Sequence, residues 1–261
     1  MTARTYAMES VTYRTAGLID DSLADGAHDG TAVTRAFEEY AVEASIAKVG
    51  GTEVLDYVLD ENIQIHGANG YVRDYPAERY YRDSRVNRIF EGTNEVNRML
   101  NPGMLIRRAL KGDLPLIPAA KRLQEEVLSP SAPSARSSKD TARDEALRTV
   151  SAFKKVVLMV LGTAMQHYGH KLNDEQEILS YAADIMIDTY AAESSGHGPP
   201  PRLRTPTRIF TRRLRSHSST TRRSAWMGLR ATRWPRWPKA THSTCFWLRS
   251  AGFSRWLRST P

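Results

Sequence analysis

Glu91 is a carboxylate in a setting that raises the question of proton transfer. It stands in Ile89-Phe90-Glu91-Gly92-Thr93-Asn94-Glu95, with an apolar pair before it and a glycine after it. A carboxylate can take a carbon-bound proton when burial raises its pKa toward that of the proton. Gly92 lets the backbone come close to a ligand, and together these features fit a buried acid on a loop. Without wider context, an exposed loop glutamate is the better reading. Gln64 and Gly67 form a second polar group at a helix end, where Gln64 alone reads as a capping or surface amide. His66, between them, has no spaced partner and is expected to pack or cap. The chain has no Cys/His cluster at metal-ligand spacing, no G-x-G-x-x-G and no P-loop.

The elements that must position these residues read as helices. Met1 to Tyr75 contains no proline, and Ala3, Ala7, Val11 and Leu18 recur on one helical face. Asp25-Gly26 and Asp29-Gly30 mark a short loop. A long helix is expected from about Thr34 to Ile65, burying Phe37, Tyr40, Ala41, Ala44, Ala47, Lys48, Gly51, Leu55, Val58 and Leu59. The small residues Ala44, Ala47, Gly50 and Gly51 permit close approach of a neighbouring backbone. Gly67-Ala68-Asn69-Gly70 ends that helix, and Pro76 opens a third that runs to about Ile89. Thr93 or Asn94 is the expected N-cap of a fourth helix, ending before Pro102. Arg82, Asp83, Arg85 and Arg88 read first as a solvated face or intra-helix pairs, with a role in domain docking as the alternative. Leu110 to Leu128 reads as a linker plus a short helix, and 129–140 is Ser/Pro-rich. Helical pattern returns over 141–168 and 173–193, and the stripe is lost from Ser195.

Composition bounds the rest. A chain of 261 residues with 41% hydrophobic residues can bury a core, and one cysteine excludes a disulfide-stapled miniprotein. The apolar run around Val156 to Met165 is far short of the ~20 residues a bilayer span needs. No secretory h-region opens the sequence, so a reducing, cytoplasmic compartment is expected. The net charge of +8 is uneven: residues 202–261 hold 15 Lys+Arg and no acid, against 22 Lys+Arg and 29 Asp+Glu in residues 1–201.

Three separated elements in residues 62–100 carry a family resemblance. They are Gln64-x-x-Gly67-x-Asn69-Gly70-Tyr71, then Tyr75-Pro76-x-Glu78-x-x-x-Arg82-Asp83, then Ile89-Phe90-Glu91-Gly92-Thr93-Asn94-Glu95-x-x-Arg98. In this order and spacing they resemble the C-terminal helical domain of the acyl-CoA dehydrogenases. The likeness extends more loosely over Met1 to Arg108, and 109–194 look like the C-terminal extension of long-chain members. The resemblance implies an all-α fold: a helical bundle over 1–108 that lacks its first helix, a linker with a short helix over 109–140, a helical extension over 141–194 and a basic tail over 195–261.

The same resemblance implies FAD-dependent α,β-dehydrogenation of fatty acyl-CoA thioesters in β-oxidation. Glu91 would be the catalytic base and Gly92 a substrate contact. Gln64 and Gly67 would reach the FAD of a neighbouring subunit, and Thr93 and Glu95 would lie near the dinucleotide; a glycine at a helix end offers amides to a pyrophosphate. Ala68 stands where many relatives have glycine, which puts a backbone contact there in question. An electron-accepting flavoprotein and a homo-oligomer are the implied partners. The family's N-terminal helical domain and middle β-domain have no counterpart in the sequence, so negligible activity is expected of the chain alone. The tail over 195–261, with its interleaved tryptophans, could contact nucleic acid or, like very-long-chain relatives, an anionic membrane. Its abrupt loss of acids is better explained by out-of-frame reading near Ser195. A non-catalytic helical scaffold with a basic tail is the alternative function.

Overall fold

In the computed structural model, residues 1–23, 30–128 and 141–197 are described, and among them every regular element is helical. The helices are α1 (Thr2–Leu23), α2 (Gly30–Glu39), α3 (Ala41–His66), α4 (Ala77–Ser84), α5 (Asn94–Lys111), α6 (Leu116–Leu128), α7 (Ala142–Tyr168) and α8 (Gln176–His197). Short 3-10 turns cover Gly67–Gly70, Arg85–Arg88 and Gly169–Asp174. The chain divides into two compact units, the second represented among the described residues only by 122–128, the C-terminal part of α6. The expected loop at Asp25-Gly26 and Asp29, the Ser/Pro-rich segment and the basic tail from residue 198, with its nucleic-acid, membrane and frameshift readings, lie outside the described residues. No helix among them is long and apolar enough to cross a membrane.

In the first unit α1, α3, α5, α7 and α8 pack on one another. Val42, Ile46 and Val49 of α3 meet Ile106 of α5, Leu161 and Ala164 of α7, and Leu179, Ala182 and Met186 of α8 in one apolar cluster. Removing such side chains from water is the main term holding the bundle. Polar and cationic contacts then fix how α1 lies: Arg4 stacks over Tyr57 at 4.0 Å and Arg14 over Tyr190 at 4.7 Å. Arg14 also pairs with Glu193 at 3.1 Å, and Thr15 Oγ1 meets the Tyr190 hydroxyl at 3.3 Å.

Several expected details change. The long helix divides at Tyr40 into α2 and α3, although no glycine or proline marks the break. The buried face of α3 is Val42, Ser45, Ile46, Val49 and Gly50, about one residue round from the expected stripe, while Phe37, Ala44 and Leu55 are exposed. The break uncouples the two faces, and α5 and α8 select the side that α3 buries. Of the two glycines Gly50 serves close packing: a Cβ there would meet Met8 Sδ at 2.9 Å, whereas one on Gly51 would meet nothing within 4 Å.

Helix α5 continues through Pro102 to Lys111 instead of ending before it. Proline has no N–H for the Arg98 carbonyl, but Asn101, Pro102 and Ile106 are buried on one side, and their packing carries the helix across the gap. Leu110 to Leu128 is mostly helix, and α8 extends to His197, past the expected loss of pattern at Ser195.

The end of α3 is sterically tight. A Cβ on Gly70 would sit 2.6 Å from the Ile63 carbonyl oxygen and 2.9 Å from His66 Cβ, neither of which can swing away. Gly70→Ala is therefore expected to destabilise the chain by roughly 1–3 kcal/mol, read as a lower midpoint in urea or heat. An unchanged midpoint would show that the 67–70 turn relaxes freely.

Candidate functional site

The loop between the Arg85–Arg88 turn and α5 carries Glu91, and its backbone is unusual. Glu91 has φ +53°, the one positive φ at a non-glycine position among the described residues, and Gly92 follows at +78°. The left-handed region costs an L-residue roughly 1–2 kcal/mol, so surrounding contacts must hold it. They come from two helices. Asn97 Nδ2, one turn into α5, donates to the carbonyls of Gly92 (2.8 Å) and Thr93 (3.1 Å), while its Oδ1 accepts from Ser45 Oγ of α3 (2.8 Å). Lys48 of α3 donates from Nζ to the same Gly92 carbonyl at 2.7 Å and to Asn94 Oδ1 at 2.8 Å. Asn94 is fully buried, and its Nδ2 donates to Thr52 Oγ1 at 3.0 Å. Thr93 caps α5, its Oγ1 accepting from the Val96 N–H at 3.3 Å, as expected from sequence.

Beneath the loop lies an ion-pair triad. Arg98 of α5 reaches Glu53 of α3 at 2.7 Å and Asp184 of α8 at 2.9 Å, with only 11% of its side chain exposed. Burial alone would push the Glu53 carboxyl up, but the Arg98 hydrogen bond and charge, with help from Asn94 and Arg88, hold it below the usual range. The triad holds the Arg98 guanidinium charged at any ordinary pH, because its carboxylate partners outweigh the opposing cost of burial. Desolvation lowers the Lys48 ammonium from the ordinary lysine value, against the facing charges of Glu95, Glu91 and Glu53.

The residues singled out from sequence fall in two places. Glu91, Gly92, Thr93 and Glu95 share the clamped loop and the first turn of α5. Gln64 and Gly67 lie at the far end of α3, 16 residues beyond Lys48, or roughly 24 Å at the helical rise. The structure does not bring the two groups together. Glu91 is exposed, which corrects the expectation of a buried acid. Gly67 has φ +60°, with open space where a Cβ would go. Gln64 is also exposed, beside exposed Ile65 and Tyr71.

His66 caps its own helix, its Nδ1 lying 2.8 Å from the Asn62 carbonyl. Arg82 and Arg85 are exposed as expected, but Arg88 pairs across to Asp56 of α3 at 2.9 Å. Sequence reasoning missed Lys48, Asn94 and Asn97 as parts of the site. A lysine among the Ala and Gly residues of α3, and three asparagines on one face of α5, were the available signals.

Comparison with known proteins decides the family. Residues 1–101 match a family model described as "Acyl-CoA dehydrogenase, C-terminal domain", and residues 152–197 match a second of the same description. The chain belongs to the acyl-CoA dehydrogenase family. A probable acyl-CoA dehydrogenase of Bacillus subtilis is 45% identical over 201 residues, 75% of this chain and 33% of that protein. A subunit of the caffeyl-CoA reductase-Etf complex of Acetobacterium woodii is 44% identical over 66 residues, 25% of this chain and 17% of that one. Among solved structures, an acyl-CoA dehydrogenase of Bacillus anthracis complexed with FAD superposes with a TM-score of 0.71 at 47% identity, covering 74% of this chain and 33% of that chain. The chain thus spans about a third of the acyl-CoA dehydrogenases it matches over most of its own length.

Two outcomes follow from this geometry. Arg98→Met leaves two half-buried carboxylates without their cation and is expected to cost roughly 2–4 kcal/mol at pH 7. Because the folded Glu53 pKa is depressed, its contribution is present above the unfolded value near 4.5 and is lost as pH falls through the folded value. The variant should lose that acid-side slope in a series of urea melts, and a parallel pH dependence would contradict the assignment. Glu91→Gly relieves the left-handed strain and should raise stability by about 1 kcal/mol, checked by the midpoint in urea; a fall would mean that the carboxylate supports the fold.

Proposed function

We propose that this chain supplies the base-bearing helical domain for FAD-dependent α,β-dehydrogenation of fatty acyl-CoA thioesters, with Glu91 as the base. The observation that carries the reading is the strained, doubly clamped backbone at Glu91–Gly92. Strain at a non-glycine residue persists where surrounding structure over-determines it, and such residues cluster at functional sites. A carboxylate held this way has a fixed origin from which to take the α proton of a thioester. When bound, FAD supplies the acceptor for the hydride that leaves the β carbon as the double bond forms.

The exposed side chain of Glu91 defines what else the reaction needs. In water a carboxylate is too weak a base for this proton, and a second wall must exclude solvent and raise its pKa. Alone, the chain is expected to show no acyl-CoA-dependent bleaching of added flavin. Gly92 is exposed beside the base, and a Cβ there would meet Asn97 Nδ2 at 2.9 Å, so a side chain at this position would disturb the clamp; its exposed backbone suits a substrate contact.

The donor set supports FAD at both places in different ways. At the end of α3, the exposed Gln64 amide and the open Gly67 backbone suit neutral polar atoms or a phosphate. At the start of α5, the Thr93 hydroxyl is engaged by Val96, and the Glu95 carboxylate would repel a diphosphate, so Glu95 suits a sugar hydroxyl. A separation of roughly 24 Å along α3 supports the two groups serving two flavins in a homo-oligomer, with Gln64 and Gly67 reaching a neighbour's. The Acetobacterium relative's place in an Etf complex supports an electron-transferring flavoprotein as a partner.

The test is a chimera in which residues 1–197 replace the matched third of the Bacillus subtilis relative. It should bind FAD and be bleached by acyl-CoA, and Glu91→Gln in that chimera should slow reduction about a thousandfold with FAD retained. Equal rates for the two chimeras would remove Glu91 from the reaction.

A further inference from the structure

The clamp on the Gly92 carbonyl contains a cation that the reaction itself does not use. Lys48 is half-buried on α3, and its Nζ makes two hydrogen bonds, both to the 92–94 segment. Asn97 reaches the same carbonyl from α5, so the Gly92 oxygen receives donors from two helices at once. Asn97 reaches α3 only indirectly, through Ser45 Oγ, and Asn94 meets Thr52 of α3 by its side chain. Lys48 is the α3 side chain that bonds the Gly92 carbonyl itself. A long side chain takes up such a position at a cost in rotamer freedom, and its stem gains little on a face of Ala and Gly. The charge-assisted bond to the carbonyl is the compensating term.

We propose that Lys48 is a positioning residue for Glu91: its ammonium, bound to the Gly92 carbonyl and the Asn94 amide oxygen, sets the left-handed Glu91–Gly92 pair against α3 and so fixes where the carboxylate stands. The inference rests on the reading of Glu91 as the base. The charged groups that face the ammonium are Glu53 of α3, Glu91 of the loop and Glu95 of α5, all acids. They keep it charged against the desolvation that opposes it. Losing that charge weakens the only link from the loop backbone to Lys48.

The test uses the full chain with glycine labelled at the carbonyl carbon, followed by NMR with amide hydrogen exchange. Lys48→Met should shift the Gly92 carbonyl resonance and speed exchange at the Val96 and Asn97 amides, which Thr93 of the loop accepts, by at least about tenfold. Exchange at Ile46 and Val49 in the core of α3 should stay as in the parent chain, and Lys48→Arg should restore the loop signals. An unmoved Gly92 resonance in Lys48→Met overturns the proposal. So does a loss of protection that runs in step through the loop and α3, because that is a role in folding alone.

Should Lys48→Met not fold, the parent chain still decides the question. Its Gly92 carbonyl resonance should titrate together with Lys48, at a pH below the ordinary lysine value, and a flat profile overturns the proposal. Glu91→Gln should leave the Gly92 resonance in place. A chimera whose turnover ignores Glu91→Gln therefore removes the base while the clamp is still seen, which separates that failure from the failure of Lys48.

Discussion

The carbonyl of Gly92 is the point on which the site depends. A backbone oxygen in a loop must find a donor or face water, and here it is held by Lys48 from one helix and Asn97 from another. Because both donors converge, Glu91 and Gly92 can occupy the left-handed region, the first of them a residue that would otherwise avoid it. The chain tolerates this strain because α3 and α5 are themselves locked by Val49, Ile106 and the Arg98 triad. Core packing, ion pairing and loop geometry thus form one dependent series, with the acid at its exposed end.

That acid stands at the edge of what the described residues build. The apolar side chains nearby in sequence, Ile89 and Phe90, are exposed, as are Ile65, Tyr71 and Tyr80. Ile89 and Phe90 adjoin Glu91, whereas Ile65 and Tyr71 adjoin Gln64 and Gly67, so exposed apolar side chains accompany both groups of candidate residues. The proposed role of Glu91 as a base therefore calls for groups beyond the helical unit to exclude water from it. The match to about a third of its relatives' length agrees with that arrangement.

Much of the local structure could be read from residue types. Thr93 caps α5 because its hydroxyl can reach the Val96 amide, and Gly67 ends α3 because a positive φ suits glycine. Other features resisted reading because they are settled between elements. The division at Tyr40 carries no glycine or proline, and Pro102 carries a stop signal that α5 overrides through burial. Ser45 is buried in place of Ala44 because its hydroxyl completes the bond to Asn97. A helical periodicity reports that one face is buried, and the neighbours decide which.

By itself the sequence determined the family, the helical class and the identity of the candidate base, since each rests on short-range order: spacing, caps and the motif around Glu91. Only the tertiary structure decided that Lys48, 43 positions before Glu91, belongs to the site, that Gln64 and Gly67 stand apart from it, and that Glu91 faces water. These depend on how far apart helices lie and which faces they turn to one another. Such distances are fixed by packing across the chain, and no local pattern carries them.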